Sequence, residues 1–127
     1  MYRARCLAPY FDAPEFDIGY LLAPRTSHTG ESIRARQTLL PFAERVGLPI
    51  VTDCDHGDST CVVRQLHNER TRPALVSWSH SELGDILRGL GVPSTLEWTG
   101  YDAIWRVTGG RVLVMQQPSN CTLPATQ

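Results

Sequence analysis

The stretch Leu75-Val-Ser-Trp-Ser-His-Ser-Glu-Leu-Gly-Asp-Ile-Leu-Arg-Gly-Leu-Gly91 decides the fold of this chain. An apolar run ends in the polar corner Ser79-His80-Ser81, after which Leu83, Ile86, Leu87 and Leu90 recur at helical spacing. That pattern is a buried strand turning directly into an amphipathic helix. His80 is therefore expected at the mouth of a sheet. In open α/β sheets ligands bind outside the carboxyl ends of the strands, and the free amides of the following helix favour an anion there. A helix-capping or otherwise satisfied histidine would occupy the same corner.

Upstream, Leu48-Pro-Ile-Val-Thr52 reads as a short strand, Asp53 to Ser59 as a polar loop, and Val62, Val63 and Leu66 as the apolar side of a short helix finishing near Arg70. Further back, Asp17 to Ala23 reads as a buried strand stopped by Pro24. After the loop Arg25 to Gly30, a helix is expected from Glu31 to Val46, closed by Gly47. Residues 2 to 11 resemble the last turns of a helix, broken by Pro9 and Pro14. Downstream, Asp102 to Val107 and Arg111 to Met115 read as strands joined at Gly109-Gly110. Strands alternating with helices predict a three-layer α/β fold. The sheet is mainly parallel, with helices on both faces and a C-terminal antiparallel hairpin, in one domain over residues 1–127.

Composition narrows the chemistry. With 42% hydrophobic and 20% charged residues, the chain has the balance of a globular protein and not of a disordered one. A net charge of -1 supplies no global attraction to nucleic acid or to anionic lipid, so any anion site must be local. All twelve basic residues are arginines, which excludes Schiff-base lysines and Walker-type phosphate loops but suits bidentate binding of phosphate or carboxylate. Codon bias is the simpler origin of that skew. No apolar run approaches a membrane span, and no signal core follows Met1, so a cytoplasmic protein is expected.

The four cysteines, Cys6, Cys54, Cys61 and Cys121, form no CxxC pair, and a structural zinc site lacks its usual spacing. Cys54 and Cys61 enclose six residues and are able to close as a disulfide in a permissive compartment. Cys54, His56, Asp58, Cys61 and His67 carry the right atoms for a metal, but in no common zinc pattern, and Asp53, Asp55 and Asp58 suit a helix-capping loop. Neither a metal nor a cofactor is expected.

A second polar corner runs from Pro24 to Thr38, with Arg34 and Arg36 near a helix start; pointing in different directions, only one would face a ligand. The paired corners resemble the histidine phosphatase superfamily, the phosphoglycerate mutase-like proteins. Its Arg-Ala-x-x-Thr segment is matched by Arg34-Ala-Arg-Gln-Thr38, and its later strand-end histidine by Ser79-His80. A fungal-type branch is most similar, through Leu22-Ala-Pro24, Cys54-Asp55, Cys61-Val62, Trp78-Ser-His80 and Tyr101-Asp-Ala-Ile-Trp105. The resemblance implies phosphomonoester chemistry, with Arg34 and His80 holding an anion beside Ser79, Ser81, Glu82 and, from the preceding loop, His28.

The family's nucleophile lies in a first strand ending Arg-His-Gly, and no Arg-His-Gly occurs in this sequence. The expectation is an N-terminally truncated fold with three competing explanations for the missing central strand: a fragment or misplaced start, a sheet that has re-paired, or a second protomer, such as a homodimer completing the sheet. Without that histidine the standard phosphohistidine route lacks its nucleophile. Two other functions fit the same residues. One is a metabolic enzyme of isomerase, cyclase or hydrolase type that reuses His80 as general acid or base; the other is a non-catalytic module that binds a small anionic ligand or a partner.

Overall fold

The structure, a computed structural model, describes residues 2–25, 31–68, 72–78, 80–92, 103–108 and 111–116. It is a mixed α/β fold. In chain order come α1 (Tyr2–Phe11), β1 (Tyr20–Leu22), α2 (Glu31–Val46), β2 (Ile50–Val51), α3 (Ser59–Asn68), β3 (Ala74–Val76), α4 (His80–Gly89), β4 (Ala103–Thr108) and β5 (Arg111–Gln116).

The first three strands form a parallel sheet in the order β2-β1-β3, with Leu21 opposite both Ile50 and Leu75. Side chains alternate across a strand, and two core clusters follow from that alternation. Leu21, Ile50 and Leu75 join Ala8, Leu39, Phe42 and Ala43 of α1 and α2. On the other face Tyr20, Leu22, Val51 and Val76 join Val62 of α3 and Ile86 of α4. Two pairs of helices thus enclose the sheet. No described helix is long and apolar enough to cross a membrane.

Helix α2 spans the residues expected, and Gly47 closes it at φ 73°. Gly47 and Leu48 both donate their amides to the Ala43 carbonyl, at 2.9 and 3.1 Å, satisfying a carbonyl that the helix leaves open. Pro41 lies inside the same helix, a tolerated break in its amide ladder.

Two points differ from expectation. The strand anticipated from Asp17 begins only at Tyr20, because Asp17 takes a left-handed φ of 45°. Second, β4 and β5 pair antiparallel, Trp105 opposite Val114, but in a two-stranded sheet of their own; Gly109-Gly110 lies outside the described residues. β1 and β3 bond directly, the arrangement that the re-pairing alternative anticipates, so no strand stands between them.

Candidate functional site

The strand order creates the site. From β1 the chain passes through α2 to β2 on one side, then through α3 back across β1 to β3 on the other. Right-handed crossovers in opposite directions place their helices on opposite faces, as the two core clusters record. The exits of β1 and β3 therefore lie side by side while the helices that follow them diverge. In open α/β folds such a divergence, at the carboxyl rim of the sheet, is the usual ligand position.

Arg25, just after β1, is strapped to the loop that leaves β2. Its amide donates to the Cys54 carbonyl at 2.7 Å, and its guanidinium donates to the Asp53 carbonyl at 2.6 Å. The guanidinium also pairs with Asp55 at 3.2 Å, with the two side chains 58% and 66% exposed. Such an exposed pair contributes about 0–1 kcal/mol.

The loop itself is closed by a Cys54–Cys61 disulfide with Cα atoms 5.6 Å apart, as the sequence allowed. On chain-entropy grounds closing so short a loop is worth about 2–3 kcal/mol, more than the ion pair. Asp58 caps α3 by accepting the Cys61 amide at 3.1 Å, and Gly57, at φ 95°, makes a turn most other residues resist.

That turn brings the loop onto α4. The Trp78 indole N–H donates to Glu82 Oε2, and His56 Nε2 lies 3.8 Å from the same oxygen. A Cβ on Gly57 would stand 3.4 Å from Glu82 Oε1. Trp78 is buried, and the Glu82 side chain is only 15% exposed. One carboxylate thus joins the exit of β3, the first turn of α4 and the loop after β2. It accepts from the indole and pairs with the imidazole when His56 is protonated.

Among the residues singled out from sequence, Glu82 belongs to this cluster. His80 opens α4 and Ser81 follows it in the helix, so both backbones lie at the rim. Ser79 and His28 lie outside the described residues. Arg34 is on α2, exposed, with its carbonyl accepting the Thr38 hydroxyl at 3.0 Å; the described contacts do not bring it to Glu82 or His56. Sequence reasoning passed over Arg25 as a loop residue and weighed His56 only as a metal ligand. The signal for His56 was its place between two cysteines able to close a loop.

The disulfide removes both thiolates from the metal set considered above, since a bonded sulfur is no longer a thiolate ligand. Among the described residues, no group of three or more His, Cys, Asp and Glu side chains is gathered so as to hold a metal ion.

A cavity of about 460 Å³ lies at the opposite end of the sheet, lined by Phe11, Ile18, Phe42, Arg45 and Arg72 among others. Its arginines are engaged. Arg45 pairs with Asp12 at 2.9 Å and Arg72 with Asp17 at 3.1 Å, and Arg72 also donates to the Ile18 carbonyl. The rim, with its switch point and convergent polar groups, is the better candidate.

Compared with family models, curated proteins and solved structures, the chain matches none.

Proposed function

We propose that the chain is a histidine-phosphatase-like, phosphoglycerate mutase-like domain that binds a small phosphate- or carboxylate-bearing molecule at the carboxyl rim of its parallel sheet. In this reading it does not use a phosphohistidine. The observation that carries it is the switch point between β1 and β3, at which α4 opens on His80 four residues after the last residue of β3. Free amides at a helix start and a nearby imidazole are the groups an oxyanion needs.

Arg34 is one turn into α2, the helix that leaves the same rim. Its exposed guanidinium is available to a ligand that bridges the two corners, with His80 donating to the same anion or moving a proton. The sequence motifs Arg34-Ala-Arg-Gln-Thr38 and Trp78-Ser-His80 support the family reading. With no Arg-His-Gly in these residues, phosphoryl transfer by the family's covalent route has no acceptor imidazole.

The disulfide bears on location. Cys54 and Cys61 are bonded, and Cys6 is disulfide-bonded as well. Such bonds persist in oxidising compartments and are rare in the cytosol, so we propose a setting oxidising enough to keep the Cys54–Cys61 bond closed in the absence of a reductant.

The test is a phosphatase assay on the purified chain with an aryl phosphate and a panel of sugar and glycerate phosphates. No turnover from folded protein is expected. Turnover that disappears in His80→Ala would overturn the claim that the phosphohistidine route is absent, and would direct attention to a substitute nucleophile.

A further inference from the structure

We propose that the Cys54–Cys61 disulfide is a reducible clasp that sets whether the rim site is assembled. The inference rests on reading the rim as the ligand site and adds a means of regulating it.

The loop from Asp55 to Thr60 contains no apolar side chain, so no hydrophobic burial anchors it. Its polar anchors include the exposed Asp55–Arg25 pair, the largely buried approach of His56 to Glu82 and the Asp58 cap of α3. The exposed pair holds the loop weakly, and the covalent bond is the constraint that a reductant can remove. The two sulfurs are also unequal. Cys54 is fully buried in the cluster with Trp78, Val62 and Ile86, whereas Cys61 is half-buried in the first turn of α3. A thiolate at a helix amino end is favoured by the dipole, which promotes reduction, although the Asp58 cap offsets part of this effect.

The step balances with a dithiol as co-reactant. One reductant thiolate attacks Cys61 Sγ, the Sγ–Sγ bond breaks, and its electron pair leaves on Cys54 Sγ, which takes a proton. The second reductant thiol attacks the mixed disulfide, and that electron pair leaves on Cys61 Sγ, which takes the second proton. Two electrons and two protons pass from the dithiol to the cysteine pair. The loop is then free to carry Asp55 and His56 away from Arg25 and Glu82.

Graded dithiothreitol on the whole chain tests this, with thiol alkylation and peptide mass reporting each cysteine, Cys6 included, and amide hydrogen exchange reporting each segment. Cys54 and Cys61 should become alkylated while β1 and β3 keep their protection. Exchange over residues 53–60 and the first turn of α4 should then quicken by about tenfold or more, and reoxidation should restore it. A bond that stays closed until β1 and β3 lose protection would overturn the proposal; so would opening with unchanged exchange at 53–60. Cys54→Ala with Cys61→Ser should show the fast exchange without reductant, and if that variant does not fold the reductant titration on the natural chain decides.

Orthophosphate binding, measured with the clasp closed and open, separates the two claims. Weaker binding when open is expected, and equal affinity in both states would overturn the clasp as a regulator. Absence of binding in both states alongside the exchange difference would overturn the ligand reading of the rim while supporting the clasp.

Discussion

Glu82 holds three segments through one carboxylate, and its loss should be felt chiefly at Trp78. Glu82→Ala leaves the buried indole N–H without its acceptor, a cost of about 1–3 kcal/mol to be read from urea unfolding. Glu82→Gln keeps an acceptor oxygen and should recover most of it; equal losses in the two variants would contradict this account. Gly19 presents a second test, because a Cβ there would come within 2.8 Å of Arg72 Cβ, Cδ and Nε. Gly19→Ala should cost about 1–3 kcal/mol. Arg72→Gly, which removes all three atoms, should make the alanine nearly harmless in a double-mutant cycle, and additive costs would count against the contact. In the sequence Glu82 reads as a neighbour of His80 at a helix start, where the dipole favours a glutamate regardless of catalysis, and Trp78 as part of the corner Trp78-Ser-His80. Their mutual bond was not legible, since the i,i+4 rule applies within a helix and Trp78 precedes α4.

At the scale of elements, α3 and α4 meet at Gly89, where a Cβ would lie 2.5 Å from Val63 Cγ2. Gly89→Ala should therefore push the helices apart and lower stability despite alanine's better helix propensity; Val63→Ala in the same chain should relieve much of the loss, as thermal unfolding would report. The helices were legible from apolar spacing and stop signals, as α2 with Gly47 illustrates. The short strands were harder. Asp17 was read into β1 because Asp17-Ile-Gly-Tyr has no proline to stop it, whereas its positive φ is held by Arg72, more than fifty residues away in sequence. β4 and β5 were expected and do pair, but their separation from the parallel sheet is a tertiary choice that no local pattern encodes.

For the whole molecule, the decisive feature is the strand order β2-β1-β3, which sets the exits of β1 and β3 together. Local sequence does not specify the order of parallel strands; crossover handedness and the faces that helices must cover select it. For the same reason the corner at His80 was legible, whereas the contacts of Arg25 with Asp53 and Asp55 and of His56 with Glu82 were not: each joins two different strand exits. The account's central claim is that this rim is the anion site. The most direct measurement is a titration with orthophosphate followed by backbone amide chemical shifts of the oxidised protein. Saturable shifts at Arg25, residues 53–57 and the first turn of α4 are the expected result. Shifts centred on Arg45 and Arg72 at the opposite end of the sheet, or no saturable shifts at all, would contradict it.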